Sequence, residues 1–204
     1  FHAAPDFVEI DDSRLPGISH ALRFDGSDLL SGAELYNTDQ SVNSFRDLEV
    51  SGQDASFEIW FRAEDMSGHE VLFEAGGGTY GTSLRLNDDS VEFFVKNDTT
   101  WAQTSCDLGQ AQIDASTDFV QVAGVIRVNG GGNLPGNGGN VTLYVNGAKA
   151  GEALVGDVIR YWDGGDGAGL GMINGGINFD NPGALSGDIA SFRMYERALS
   201  GDEV

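Results

Sequence analysis

Apolar side chains recur at every second position along much of this 204-residue chain, and the 3.6-residue period of a helix is nearly absent. Alternation at period two gives an extended strand one apolar face, and that face must be buried against another layer. Ten segments carry the strand pattern: "HALRF" (20–24), "SFEIWFR" (56–62), "VLFEA" (71–75), "SLRL" (83–86), "VEFFVK" (91–96), "TWAQTS" (100–105), "FVQVAGVIRV" (119–128), "VTLYVNG" (141–147), "GLGMI" (169–173) and "DIASFRMY" (188–195). Between them lie close-spaced turn signals, "NDDS" at 87–90, "KNDTT" at 96–100 and "VNGA" at 145–148. Asn146 and Gly147 accept positive φ cheaply, as a type I′ hairpin turn requires. Short strands joined by hairpins predict an all-β fold, a two-sheet antiparallel jelly-roll sandwich.

Individual strands sharpen this expectation. Along "FEIWF", Phe57, Ile59 and Phe61 share a core face; Trp60, set between Ile59 and Phe61, is expected to pack within the sandwich. "FVQVAGVIRV" is apolar on both faces apart from Gln121 and Arg127, which predicts a central strand. The glycine-rich insert at 129–139 cannot support packing and is expected as an exposed, mobile loop. In the last strand Ala190, Phe192 and Met194 are expected on one face, with Ser191 and Arg193 opposite. Ser200 followed by Glu203 forms a capping box, so a helix is expected to begin there and the chain to continue past Val204. The length suits one all-β domain, residues 20–204, with residues 1–19 an irregular segment packing on it or leading into it.

Charge restricts the partners. With 32 acidic against 11 basic residues the net charge is −21, which repels phosphate backbones and anionic headgroups, so neither nucleic acid nor membrane is an expected partner. No run approaches the roughly 18 apolar residues of a membrane span. The chain opens on Phe1 rather than Met, which points to a segment removed or left out upstream. Cys106 is the single cysteine, which excludes an intrachain disulfide and any CxxC metal site.

Five segments resemble the LamG-like domains of the concanavalin A-type jelly-roll group, in order and spacing: "ALRFDGSDLL" (21–30), "SFEIWFRAEDMSGHEVLFEAGG" (56–77), "FVQVAGVI" (119–126), "NVTLYVNGAKAG" (140–151) and "GDIASFRMYERALSGDEV" (187–204). The resemblance spans about residues 20 to 204. It implies a concanavalin A-like sandwich of a secreted or cell-surface protein, often a module that binds glycans or other proteins and often one with a structural calcium. The chain departs from the family pattern at Phe119 and Gln121, where Trp and His are usual, and at Ala190 and Ser191, where Asp pairs are frequent.

Signatures of catalysis are missing. There is no E-x-D-x-x-E cluster to place two carboxylates about 5 Å apart for glycoside hydrolysis, "EIDDS" (9–13) being the nearest approach in an irregular segment. There is no G-x-S-x-G elbow, and His2, His20 and His69 lack zinc spacing. Gly76, Gly78 and Gly81 match G-x-G-x-x-G, but a strand follows where a dinucleotide site needs a helix. The expectation is therefore no enzyme.

Calcium needs six to eight oxygens, which acidic glycine-rich loops supply. Asp25 and Asp28 in "FDGSD" qualify, together with Asp188, because first and last strands commonly adjoin in this fold. Asp163 and Asp166 in "DGGDG" form a second candidate set, the plain alternative for both being Asx turns. A sugar site needs aromatic faces, and Tyr80, Trp101, Tyr161 and Trp162 lie in or beside loops; the competing reading is a lid over the core edge. Asn97 and Asn140 head N-glycosylation sequons at turns. These features together predict a non-catalytic extracellular recognition module for carbohydrate or a protein partner. The alternative is a structural or spacer domain of a filament, sheath or adhesin that self-assembles and takes no small ligand.

Overall fold

The computed structural model describes residues 4–31, 35, 44–64, 66–129, 138–174 and 183–204, so the greater part of the insert at 129–139 lies outside them. Two sheets face each other. The first runs in the order β1 (Asp6–Glu9), β2 (His20–Asp25), β14 (Ser186–Tyr195), β4 (Ala55–Ala63), β9 (Val120–Arg127), β10 (Asn140–Val145), β11 (Ala148–Leu154). The second runs β3 (Leu30–Ser31), β12 (Ala168–Leu170), β5 (His69–Gly76), β6 (Tyr80–Asn87), β7 (Ser90–Asn97), β8 (Thr100–Asp107), with β13 (Gly183–Ala184) joining β5. Pairing along both orders is antiparallel, and only β13 is parallel to its neighbour.

Alternation built this architecture as expected, with four strands added. β1 falls in the segment expected to be irregular, and β3 and β13 are two-residue pairings too short to leave a pattern. β11 was hidden because it is an edge strand, largely exposed and carrying little apolar side chain. Asn146 and Gly147, at φ 47° and 76°, make the hairpin that returns β10 into it. The central position of β9 is confirmed between β4 and β10.

The core is aromatic. Phe57 of the first sheet stacks on Phe73 of the second at 4.7 Å, and Phe45, Trp162 and Phe192 extend the cluster. Gly124 shares its core-facing row with Phe57 and Leu143. A Cβ there would lie 2.6 Å from the Phe93 ring, so the missing side chain is the socket that lets the sheets close.

Two expectations about facing side chains are corrected. A bulge between Ile189 and Ser191 shifts the register of β14, so Ile189 rather than Ala190 shares the core face with Phe192. Trp60 does not pack between the sheets. Phe57, Ile59 and Phe61 are fully buried on one side of β4, which puts Trp60 on the outer face, half-buried against a small cluster of Leu15, Ala21 and Phe119. At the end of the chain half of the capping box forms, Glu203 Oε2 accepting from Ser200 N and from the Ser200 hydroxyl, each at 2.9 Å, and residues 201–203 make a turn where a helix start was expected.

Strand propensity alone ranks Ala above Gly at position 124. Packing predicts the reverse: Gly124→Ala lowers unfolding free energy by about 1–3 kcal/mol, the usual penalty for overfilling a core. Urea denaturation followed by tryptophan fluorescence measures it, and a stabilised variant would contradict the tight sheet-to-sheet contact.

Candidate functional site

The β5–β6 turn and the 161–167 segment meet at one rim of the sandwich. Gly76 sits at φ 95°, and a Cβ on it would come within 2.3 Å of Gly164 N and 2.5 Å of the Tyr80 carbonyl. The glycines of the G-x-G-x-x-G run therefore let two backbones lie flush, and β6 follows directly, as the sequence indicated. Against this platform Tyr80 and Tyr161 meet edge to face, with ring centroids 5.5 Å apart. The Arg46 guanidinium lies over Tyr161 at 4.3 Å and at 5.9 Å from Tyr80, arrangements in which a cation is drawn to the ring face. Asp166 stands beside them, exposed, its Oδ2 against Gly77. Arg46, Tyr80, Asp166 and the glycine backbones enclose a shallow hollow of about 220 Å³.

Of the four expected aromatic residues, the fold brings together only Tyr80 and Tyr161. Trp162 is a correction: it is fully buried in the core, and its indole N–H donates to the Gln53 carbonyl at 2.9 Å. Its neighbour in sequence, Tyr161, lies instead at the rim with Tyr80 and Arg46. Trp101 is 59% exposed on the outer face of the second sheet, stacked on Phe94 at 5.7 Å, and does not line the hollow. Arg46 escaped the sequence reading because only the tertiary fold carries it to the two tyrosines.

The carboxylates are also sorted by the fold. Asp188 is buried and accepts from Arg23 Nε at 2.8 Å and from Arg62 Nη2 at 2.6 Å. Burial raises its pKa, but the two guanidinium groups outweigh this and hold the carboxyl below its usual value. Asp28 accepts the Asp25 backbone N–H at 3.0 Å, and Asp25 accepts from Ser27 as an Asx turn. These three side chains do not fit a calcium site: the Asp188 oxygens are committed to two cations that would repel a third. Asp25 and Asp188 instead line, in part, a cleft of about 450 Å³. Among the described residues no group of three His, Cys, Asp or Glu side chains is placed to hold a metal.

Asp163 and Asp166 diverge in environment. Asp163 is fully buried; its Oδ2 accepts the Arg46 N–H at 2.8 Å, while Oδ1 lacks a hydrogen-bond partner. Glu74 of β5 is equally buried, with Oε1 accepting from Asn174 N at 2.7 Å and Oε2 unpartnered. Burial pushes Glu74 up to about 9, helped by the nearby charges of Asp163 and Asp166. Burial likewise raises Asp163 to about 7. Sealed from solvent, neither carboxyl can reach a substrate bond. Both sequon asparagines are corrected as well: Asn97 and Asn140 are buried and donate their Nδ2 hydrogens to the Val158 carbonyl and Glu152.

The raised acids set a pH dependence. Their folded-state pKa values exceed the unfolded ones, so the unfolded chain gives up these protons first and the stability that these two groups contribute is present in full only below about pH 4. It falls as pH rises, through the 3.8-to-7 window for Asp163 and the 4.5-to-9 window for Glu74. In chelator-containing buffer Glu74→Gln should flatten the loss between pH 5 and 8, by at most about 1.4 kcal/mol per pH unit. Urea midpoints across that range check it; parallel curves for the two proteins would show that Glu74 is already ionised.

Comparisons with known proteins agree with this fold. The Laminin_G_3 family model, described as Concanavalin A-like lectin/glucanases superfamily, matches residues 37–204. No curated protein matches the sequence. Among solved structures the chain is similar to the CBM40 of the Ruminococcus gnavus IT-sialidase bound to α2,3 sialyllactose, at 16% identity and TM-score 0.59, over 90% of this chain and 93% of that one. It is similar to domain 4 of AbnA, a GH43 extracellular arabinanase from Geobacillus stearothermophilus in complex with arabinotriose, at 16% identity and TM-score 0.57, over 98% and 79%. The binding domain of Paraclostridial Mosquitocidal Protein 1 aligns at 15% identity and TM-score 0.66, with 99% of this chain covering 44% of that one. With the family model matching most of its length and two antiparallel sheets in place, the chain belongs to the concanavalin A-like lectin/glucanases superfamily.

Proposed function

We propose that this domain is a non-catalytic recognition module of a secreted or surface protein, and that it binds carbohydrate at the rim formed by Arg46, Tyr80, Tyr161 and Asp166. The observation that carries the reading is the convergence of two tyrosines, a guanidinium and a carboxylate on a bare glycine backbone. Tyrosine rings match the apolar faces of sugar rings, Arg46 donates to hydroxyls and Asp166 accepts from them. The glycan-bound similar structures support a carbohydrate ligand. Among the described residues no helix is long and apolar enough to cross a membrane.

Pull-down on insoluble polysaccharides and a glycan array test this directly. Tyr161→Ala and Arg46→Ala should each weaken binding about tenfold or more, the scale of one or two lost contacts, with Trp101→Ala as a probe of the other exposed aromatic. Retention unchanged in both rim variants, or no retention of the native domain, would remove the rim from consideration. A structural calcium belongs to this reading only at the 163–166 turn, where Asp163 Oδ1 is unpartnered. Adding calcium to chelator-treated protein should then raise the melting temperature by mass action; an unchanged value excludes it.

One observation favours the self-assembling alternative. Phe7 is 77% exposed on edge strand β1, beside a hollow lined by Leu22, Leu30, Ile189 and Phe192. Sedimentation velocity over a concentration series decides it, since assembly through this edge would disappear in Phe7→Glu.

A further inference from the structure

The outer face of the first sheet carries a second constellation, built around a carboxylate that the rim does not use. Glu58 is buried on this face of β4. Its Oε1 accepts from Trp60 Nε1 at 3.2 Å and Gln121 Nε2 at 2.9 Å; its Oε2 accepts from the Tyr195 hydroxyl at 3.0 Å and from Arg193 Nη1 at 3.4 Å. Burial alone would raise its pKa, yet these donors hold it below the usual value, so the carboxylate is a fixed anchor. Beside it opens a hollow of about 370 Å³, lined by Arg14, Trp60, Phe119, Gln121 and Asn146 among others.

Each lining group has its internal valences filled and one kind of contact left over. Trp60 has spent its only N–H on Glu58, so its ring can offer only apolar surface. Gln121 donates both amide hydrogens inward, the second to the Val204 carbonyl at 3.2 Å, which leaves its side-chain oxygen as an acceptor. Asn146 is locked at φ 47° in the β10–β11 turn, and its Oδ1 accepts the Gln121 backbone N–H at 3.0 Å. Its side-chain NH2 therefore remains as a donor. Arg14 is balanced by Asp12 at 2.6 Å and Asp118 at 3.0 Å, so the hollow presents no uncompensated cation.

An aromatic plane beside one oriented acceptor and one oriented donor, with its single arginine outnumbered by two carboxylates, suits a sugar ring that carries no anionic group, whose hydroxyls give and take hydrogen bonds around an apolar face. We infer that Trp60, Gln121 and Asn146 form a second carbohydrate site, selective for a neutral pyranose, on the outer face of the first sheet. This rests on the carbohydrate-binding reading and adds to it: with the rim built from the other sheet's turn, the domain grips a glycan at two separate points.

Trp60 itself reports occupancy. The chain has three tryptophans, and in a Trp101→Phe background only Trp60 and the core residue Trp162 emit. The methyl glycosides of glucose, galactose and mannose are titrated to about 100 mM, covering millimolar dissociation constants. At least one should shift the emission saturably, and the shift should persist when Tyr161→Ala is added. Asn146→Gly keeps the left-handed turn while removing donor and clamp, and should weaken that dissociation constant about tenfold; Trp60→Phe keeps the packing and should abolish the signal. If no glycoside produces a saturable shift, or if Asn146→Gly leaves the affinity unchanged, the second site is overturned. Polysaccharide retention lost only in Tyr161→Ala would then leave the rim standing alone, whereas saturable glycoside binding with no effect of the rim variants on retention would do the opposite.

Discussion

Everything in the molecule depends on how closely two sheets approach across an aromatic interior. The Phe57–Phe73 stack brings their rings to 4.7 Å, and Gly124 yields its side chain so that Phe93 can enter the opposite layer. That closeness makes the sandwich stiff in the middle and leaves two kinds of surface for other work: the rims where turns meet, and the outer faces. Tyr80 belongs to a row of β6 on the core side and emerges at the rim, while Trp60 and Gln121 stand across from each other on the outer side.

Such an interior has no use for charge, and the way the chain places its acids follows from that. Where an arginine is in reach, as for Asp188 and Glu58, the buried carboxylate stays ionised and serves as a fixed acceptor. Where none is, as for Glu74 and Asp163, desolvation favours the neutral acid, because an unpaired buried charge is far costlier than a bound proton. The strong negative charge of the chain is thus divided between a solvated surface and a few interior acids of opposite character. Asp188 and Glu58 organise the first sheet's outer face, while Glu74 and Asp163 hold neighbouring segments through the backbone N–H groups of Asn174 and Arg46.

The candidate rim draws on chemistry that is modest in each part. One exposed cation–π contact contributes about 0.5–1 kcal/mol, so Arg46 is held as much by its own backbone bond to Asp163 as by the rings. Glycine backbones that pack flush set the course of the turn without filling it, which leaves preoriented groups around an open hollow.

Much of this was legible in the residues alone. Period-two alternation is local, since each strand's two faces are written in its own side chains, and it was enough for the sandwich, for the central place of β9 and for the hairpin at Asn146. The exposed edge strand β11 and the two-residue strands left no such trace, because hydrophobic patterning marks burial and they are scarcely buried. Adjacent positions 161 and 162 were indistinguishable as loop aromatics, yet one became core and the other rim, a difference that depends on which way the chain enters the sandwich. The same holds for Asp188, whose partners Arg23 and Arg62 lie 165 and 126 positions away. Alternation could decide that two layers would form; only their register against each other decided which acids met an arginine, which tyrosines met Arg46, and which tryptophan was left facing out.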